Sequence, residues 1–349
     1  MAYPSERRIR TIKGENAMKT GSITRAAVLG MGLLLVAMTA SAQKRVFPTN
    51  IVRDTFGFTA KTPSDFPWKD IEQGCPVRDC IPSIDKPKFL AAEAATYLDA
   101  DDLVLAVNHK GVRRAYPTRI LNYHEIVNDT VAGDPIAITW CPLCGSGVAF
   151  RRELDGKAVA FGVSGLLHNS DLILYDRSSN SLWQQITARA FAGKRRGQSL
   201  STVPLTMTTW REWREQHPDT QVLSTDTGRD SNYGVATPYG DYDSSERLMF
   251  PVSAHDPRLH PKTVVYALEL GSDSYAVTER ALKAGPVKTS IGRVPVEWIR
   301  QADGTVRATR TDTGKALVPT RLFWFAWFTF HPATGLHDVP PKKRAPRAG

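Results

Sequence analysis

The sequence predicts an α+β protein that is mainly antiparallel β-sheet with two or three short helices. Short apolar runs are separated by turn signals, and two of these turns contain Asp-Gly, at 155–156 and 303–304, the dipeptide most typical of β-hairpins. Helical spacing of apolar side chains is confined to a few segments. Strands and helices do not alternate regularly, so a repeated βαβ arrangement is not expected.

Residues 1–42 are predicted to be a signal peptide. Arg25 precedes the apolar run AAVLGMGLLLVAM at 26–38, and ASA at 40–42 forms a small-residue cleavage site. Met18 is an alternative start. The apolar run is shorter than the roughly 20 residues that a bilayer span needs, so no membrane span is expected after signal removal. We therefore expect an exported protein that is periplasmic or secreted.

Two regions follow the signal peptide. Residues 43–101 are rich in Pro, Asp and Lys and are predicted to be an extended N-terminal arm, and residues 102–337 to be the α+β domain. Its first element is a hairpin, in which LVLAV and RRAYP flank the turn signal NHKG at 108–111. TRILNYHEIVND at 118–129 has spacing closer to helical than to alternating. PIAITW at 135–140 predicts a buried strand.

The second part of the domain is predicted in the same way. GVAFRREL and KAVAFGVS flank Asp-Gly as a hairpin, and SDLILYD at 170–176 is a strand. TTWREWREQHP at 208–218 is the clearest helix, because a threonine can cap it and Pro218 ends it. Strand-like segments occupy 263–311, and the aromatic run LFWFAWFTFHP at 322–332 predicts a core element. We find no internal repeat in the sequence.

The net charge of +10 at pH 7 comes mainly from the two ends of the chain. Basic residues cluster in the signal peptide and in PKKRAPRAG at 341–349. A nucleic-acid binder would concentrate positive charge on a folded face, so nucleic acid is not expected as a partner. Residues 338–349 are predicted to be a disordered basic tail. A periplasmic protein partner stays open.

The four cysteines fall into two local pairs. Cys75 and Cys80 lie among Pro and Asp residues in GCPVRDC, and an oxidising compartment makes a disulfide the expected state of this pair. Cys141 and Cys144 lie in CPLCG between two predicted strands. Their chemistry is the central question that the sequence raises.

The CPLCG turn is typical of a metal knuckle, because its glycine lets the backbone swing round an ion. Two thiolates suit a soft ion, so copper, above all Cu(I), is expected before zinc. A closed zinc site needs four ligands. The candidates for the remaining ligands are His124, His168, His331 and the Cys75/Cys80 pair. His124 is favoured as the third ligand because it precedes the strand that leads to Cys141, and His331 is a weaker fourth. On a helix, His124 and Glu125 would point in different directions, so only one of them is expected to face a site.

Two other interpretations of this pair stay open, as does the question of enzymatic activity. A periplasmic thiol–disulfide redox protein would place the cysteines at a helix N-terminus, where the thiol pKa is lowered. The glycines and the alternation after Cys144 favour a strand instead. A non-catalytic envelope binding domain would hold Cys141 and Cys144 as a structural disulfide.

Several long motifs, in order, resemble the DUF3179 family of bacterial exported proteins of unknown function. They are YPTRILNYHEIVNDTVAGDPIAITWCPLCGSGVAF, FGVSGLLHNSDLILYDRSSNSLWQQ, TTWREWREQHPDTQVLS and FWFAWFTFHPATGL. The resemblance implies that the positions of interest are His124, Cys141, Cys144, Asn169, Asp171, Trp183 and His331. Cys80 replaces a glycine that is usual in the family and Cys75 looks like an addition, which favours a local disulfide. His168 stands where the family more often has a bulky residue other than histidine.

Overall fold

The computed structural model describes residues 51–235 and 237–338, and antiparallel β-sheet dominates them, as predicted. The signal peptide predicted at 1–42 and most of the tail predicted at 338–349 lie outside the described residues.

The strands are β1 Ile71–Gln73, β2 Phe89–Ala91, β3 Leu103–His109, β4 Val112–Pro117, β5 Ile126–Val131, β6 Asp134–Cys141, β7 Ser146–Arg151, β8 Glu153–Leu154, β9 Lys157–Ala158, β10 Phe161–His168, β11 Asp171–Asp176, β12 Leu182–Gln184, β13 Arg189–Ala192, β14 Thr202–Val203, β15 Thr206–Thr209, β16 Gln221–Leu223, β17 Val264–Leu270, β18 Asp273–Thr278, β19 Val287–Ile291, β20 Val294–Arg300, β21 Val306–Arg310, β22 Ala316–Leu317, β23 Thr320–Phe323 and β24 Gly335–His337. The α-helices are α1 Thr118–Leu121, α2 Trp210–Gln216, α3 Glu279–Ala284 and α4 Trp324–Phe330.

Two parts of the chain, the first half (103–223) and the second half (264–337), share the same order of elements. The first half forms sheets in the orders β15-β3-β4-β16, with β2 at the edge, and β14-β7-β6-β5. The second half forms β23-β17-β18-β24 and β22-β21-β20-β19. In each half one strand runs parallel to its neighbour, β16 beside β4 and β24 beside β18. The expectation that the chain has no internal repeat is therefore wrong at the level of the fold.

The two copies of the repeat share a few side chains, which make the same contacts at the end of a helix. WREWREQHPDT at 210–220 and WFAWFTFHPAT at 324–334 share two tryptophans, a His-Pro pair and a threonine at the same spacing. In each copy the second tryptophan donates its Nε1–H to the threonine Oγ1, over 3.0 and 2.9 Å. His217 and His331 pack on these tryptophans, with ring centroids 4.1 and 3.8 Å apart. Both histidines thus occupy equivalent positions at helix ends.

One long insert breaks this equivalence. In the first half, residues 152–201 place β8 to β13 between β7 and β14. In the second half the equivalent strands are β21 and β22, and a short turn joins them. Strands β10 to β13 form a sheet with β1 at its edge, in the order β1-β10-β11-β12-β13. The segment predicted as an extended arm therefore supplies β1 to this sheet and β2 to the first half. A disulfide between Cys75 and Cys80 closes the turn after β1, as predicted.

One of the two helices predicted from the sequence is confirmed, and the other is only partly correct. Thr209 caps α2 by accepting from Glu212 N through its Oγ1, and the helix ends before Pro218, as predicted. The helical pattern at 118–129 was wrong after Leu121, because α1 ends there and β5 begins at Ile126. The reason lies at Glu125, whose φ of +56° is left-handed and cannot belong to a right-handed helix. No helix in the two described ranges is long and apolar enough to span a bilayer.

The largest cluster of buried apolar side chains draws on both halves and on the insert, and it contains Cys141 and Cys144. Trp183 and Trp324 are among its fully buried members. The link between the halves has no regular secondary structure from residue 237 to residue 263, and we call these residues the cover segment. Its side chains, including Tyr242, pack against the same cluster. The fold therefore encloses the second cysteine pair beneath a long connection.

Candidate functional site

The CPLCG turn joins two antiparallel strands. Cys141 ends β6 and pairs with Ser146 at the start of β7, so no helix begins after Cys144. Gly145 has a φ of +56°, and a Cβ there would lie 2.8 Å from the ring of Phe323. Both the backbone conformation and the space therefore require glycine at this position. The two cysteines are free thiols and only 2 % and 0 % exposed.

A second turn faces the two sulfurs. Asn169 and Ser170 link β10 to β11 with φ values of +53° and +67°, the two left-handed residues of a type I′ hairpin turn. The Ser170 carbonyl oxygen accepts from both thiols, 3.8 Å from Cys141 Sγ and 3.3 Å from Cys144 Sγ. Asn169 Oδ1 accepts from Ser253 N of the cover segment at 2.8 Å. This tight turn carries the next residue, Asp171, to the thiols.

Cys141, Cys144 and Asp171 form the thiol site, a group whose ligand atoms all lie within 4.8 Å of one another. Asp171 is fully buried. Its Oδ2 accepts from Gln184 Nε2 at 2.5 Å and from Ile186 N at 3.1 Å. Its Oδ1 makes no hydrogen bond to a nitrogen or oxygen atom of the described residues. The protein thus orients the carboxylate through one oxygen and leaves the other available beside the sulfurs.

The thiol site gathers acidic groups where their charged forms are poorly solvated. Burial raises the pKa of Cys141 and, more strongly, that of Cys144. Burial also raises the pKa of Asp171 to about 7. At Glu125, burial and then the charge of Asp171 raise the pKa to about 8. Around neutral pH the metal-free site therefore holds protonated thiols, a mostly protonated Glu125 and an Asp171 that is about half protonated.

Glu125 is a residue that the sequence reasoning did not select. It is 8 % exposed, and its Oε2 has no hydrogen-bond partner among the described residues. Burial is the main cause of the raised pKa of Cys141, and the charge of Glu125 is one of its further causes. The sequence held one indication of Glu125. It is adjacent to His124, and only one of these two neighbours was expected to face a site.

His124 is directed elsewhere, which corrects the ligand set expected from the sequence. Its Nδ1 is 2.7 Å from the carbonyl oxygen of Pro82, and its Nε2 is 2.5 Å from the hydroxyl of Tyr233. Burial lowers its pKa. Both ring nitrogens are therefore engaged, and His124 lies outside the group of ligand atoms. Asp171 occupies the place that we expected an imidazole to fill.

The remaining predicted residues have structural contacts. His331 ends α4 outside the thiol site, packed on Trp327, and burial lowers its pKa to about 4. Trp183 donates its Nε1–H to Asp176 Oδ2 over 3.0 Å. His168 is stacked on Phe66, with ring centroids 3.9 Å apart. The structure thus brings only Asp171 of these candidates to the thiols, with Asn169 in the adjoining turn.

The cover segment is fastened directly to the CPLCG turn. Tyr242 donates its hydroxyl to the carbonyl oxygen of Leu143 at 3.2 Å. The Lys262 ammonium lies 3.4 Å from the centroid of the Tyr242 ring and donates to the carbonyl oxygens of Tyr242, Ser245 and Arg247 over 2.9 to 3.1 Å. Burial lowers the pKa of this ammonium group, and a negative charge on Cys144 would raise it. An ion could reach the sulfurs only after local opening of such contacts.

The alternatives left open for Cys141 and Cys144 made structural predictions of their own. A thiol–disulfide redox site predicted a helix N-terminus and a lowered thiol pKa, whereas the thiols lie between strands and burial raises their pKa. An envelope domain with a structural disulfide predicted a bond between these cysteines, which are free. Neither arrangement matches the thiol site.

Comparison with known proteins gives one match. A family model described as "Protein of unknown function (DUF3179)" matches residues 78–321. This range contains the thiol site and Glu125, and it excludes Cys75 and His331. No curated protein and no solved structure matches the chain.

Proposed function

The chain belongs to the DUF3179 family, whose function is unknown, and from the geometry of the thiol site we propose that it is an exported protein that binds a zinc ion through Cys141, Cys144 and Asp171. The carrying observation is the convergence of two sulfurs and one carboxylate oxygen within 4.8 Å of one another. Zn²⁺ accepts thiolate and carboxylate ligands, at about 2.3 Å from sulfur and about 2.0 to 2.2 Å from oxygen.

The electrostatics of the site support a divalent cation. Buried acidic groups are unfavourable unless a positive charge or a proton compensates them. Here burial raises the pKa of Cys141, Cys144 and Asp171. A bound dication would replace the protons on the thiols and give the unpaired Asp171 Oδ1 a partner. Metal binding should therefore release protons.

The donor set changes the expected order of metals. The sequence favoured copper before zinc because two sulfurs and an imidazole suit Cu(I). Asp171 in place of His124 introduces a hard oxygen donor, which favours zinc over the monovalent soft ion. Zinc has no redox chemistry, so a zinc ion here excludes electron transfer, and the role that we propose is metal handling or a structural centre outside the cytoplasm. An electron-transfer role would require copper.

The test is a metal titration of the reduced, metal-free protein under anaerobic conditions, beside metal analysis of protein purified from the periplasm. We expect one zinc per chain and a weaker response to Cu(I). Cys141→Ser should lower the zinc affinity by at least about 100-fold, because it removes a direct ligand, and loss of an outer-shell partner alone costs roughly 10- to 100-fold.

The matched control is the double variant Cys75→Ser/Cys80→Ser, which removes the other cysteine pair. It should retain one zinc with unchanged affinity, because that pair forms a disulfide outside the thiol site. A wild-type protein that binds neither zinc nor copper contradicts metal binding. Tight binding of copper without binding of zinc would reject zinc as the metal. Loss of zinc binding in the control variant alone would place the metal site at Cys75 and Cys80.

A further inference from the structure

We propose that Glu125 is the fourth ligand of the thiol site and that it makes the site selective for a dication over Cu(I). This inference rests on the proposed function, since it assumes that the thiol site binds a metal. With Glu125 the site has two sulfur and two carboxylate donors, the number that a closed zinc site requires.

The backbone fixes Glu125 beside the strand that carries the first thiol. Its carbonyl oxygen accepts from Trp140 N at 2.8 Å, and Trp140 immediately precedes Cys141. Its own amide donates to the Leu121 carbonyl oxygen at 2.7 Å, which anchors it to the end of α1. These two bonds hold Glu125 between the helix and the end of β6, so only its side chain has to move to reach the ion.

Two unfavourable features coincide at Glu125. A left-handed conformation is uncommon for a residue other than glycine, and strain of this kind tends to persist at functional sites. Glu125 has a φ of +56° and is also 8 % exposed with an unpartnered Oε2. An unpaired buried carboxyl oxygen ordinarily destabilises a fold. A bound ion would satisfy this oxygen, which explains why the fold keeps both features.

Electrostatic coupling links Glu125 to two of the three other ligands. The charge of Asp171 acts on Glu125, and the charge of Glu125 acts on Cys141. Glu125 lies outside the tight group of ligand atoms, so it closes on the ion by side-chain rotation. His124 cannot make this approach, because its ring nitrogens are bound to Pro82 and Tyr233.

The charges explain the selectivity. Two thiolates and two carboxylates carry four negative charges, so a bound dication leaves a net charge of −2, equal to that of a four-cysteine zinc site. Cu(I) would leave −3 in the same buried volume, which is less favourable. Lys262, whose ammonium group is in electrostatic reach of Cys144, offsets part of the charge. Hard carboxylate oxygens also suit zinc better than Cu(I).

The test compares Glu125→Gln with wild type in competition titrations with zinc and with Cu(I). We expect the zinc affinity to fall by at least roughly 10- to 100-fold, with the stoichiometry still one, and the Cu(I) affinity to stay level or rise. Substituting Co²⁺ for zinc gives a second measurement. The visible bands of four-coordinate cobalt should weaken in the variant, while the sulfur-to-cobalt charge-transfer bands remain.

Glu153→Gln is the matched control, because Glu153 is an exposed glutamate on β8, and it should behave as wild type. Glu125→Asp keeps the charge and should retain more zinc affinity than Glu125→Gln. If wild type binds zinc and Glu125→Gln matches it in affinity and cobalt spectrum, Glu125 is not a ligand, although the proposed function stands. If wild type binds no metal, the proposed function itself fails.

Discussion

Asp171 and Glu125 together are expected to take about 2 kcal/mol of folding free energy from the metal-free protein between pH 6.5 and pH 8, and zinc is expected to reverse this loss. Burial raises the pKa of Asp171 from 3.8 to about 7 and that of Glu125 from 4.5 to about 8. Between the unfolded and folded pKa values, the folded state holds more protons than the unfolded chain. The stabilisation present below pH 4 is therefore lost as the pH rises through the folded pKa values.

Other buried groups oppose this loss at the two ends of the pH window. Burial lowers the pKa of His124, His168 and His331, so the unfolded chain holds the extra protons there, and stability rises with pH until the unfolded histidines, whose pKa is about 6.5, have lost their protons. Burial lowers the pKa of Lys262 to about 8, which makes stability rise again above pH 8. Between these limits the acidic groups should dominate the slope.

The measurement is denaturant unfolding of metal-free protein at several pH values, with and without zinc. Zinc binds the deprotonated ligands, so its stabilisation should grow with pH and reach about 4 kcal/mol at a free concentration of 1,000 times the dissociation constant. A double variant Glu125→Gln/Asp171→Asn should remove this loss. A metal-free wild type whose stability changes over this window in the same way as that of the double variant would contradict the proposed electrostatics of the thiol site.

Asp171→Asn is expected to stabilise the metal-free protein at pH 8 and to weaken zinc binding by at least about 100-fold. Asparagine has the same shape, and its oxygen can still accept from Gln184 Nε2 and Ile186 N. Removing a buried carboxyl whose pKa rises to about 7 relieves about 4 kcal/mol at pH 8. The new buried amide offsets about 1 to 3 kcal/mol of this gain, so about 2 kcal/mol should remain.

Asp176→Asn is the matched control at the other end of β11. The Asp176 carboxylate accepts from Ser178, Ser179 and Trp183, and these hydrogen bonds hold its pKa below its usual value. This substitution should destabilise the fold and leave the zinc affinity of folded protein unchanged. Unfolding curves and zinc competition on the same samples separate the two effects. Unchanged zinc affinity in Asp171→Asn would remove Asp171 from the site.

The sequence predicted the features that depend on neighbouring residues. The Asp-Gly turn at 303–304 predicted the hairpin of β20 and β21, whereas at 155–156 only the two-residue strands β8 and β9 pair, and β7 and β10 lie in different sheets. The strand after Cys144 followed from two glycines that oppose a helix. The Cys75–Cys80 disulfide followed from short spacing in a chain that the sequence predicts to be exported. Each of these depends on side-chain periodicity or on a local turn, which are legible without knowledge of the tertiary fold.

The thiol site depends on contacts that such patterns do not encode. Asp171 reaches the sulfurs because an insert folds back and a two-residue turn presents Ser170 to both thiols. The family resemblance had drawn attention to Asp171, but no spacing pattern linked it to the cysteines. The choice between His124 and Glu125 turns on a single left-handed residue, whereas helical spacing at 118–129 suggested a continuous helix.

The internal repeat escaped detection for a related reason. The two halves share strand order and helix-end geometry, but in the best-matching segment they share only two tryptophans, a His-Pro pair and a threonine. Sheet packing tolerates many apolar residues of suitable size, so equivalent strands need not look alike. The shared side chains remain where a hydrogen bond or a ring contact fixes the end of α2 and of α4.

The coordination shell of the zinc-loaded protein, measured by X-ray absorption at the zinc edge, tests the central claim most directly. A zinc centre ligated by Cys141, Cys144, Asp171 and Glu125 should show two sulfur neighbours at about 2.3 Å and two oxygen neighbours at about 2.0 to 2.2 Å. The Cys141→Ser variant should show one sulfur neighbour. A shell with no sulfur, or with two or more imidazole nitrogens, would contradict a centre built from Cys141, Cys144 and Asp171.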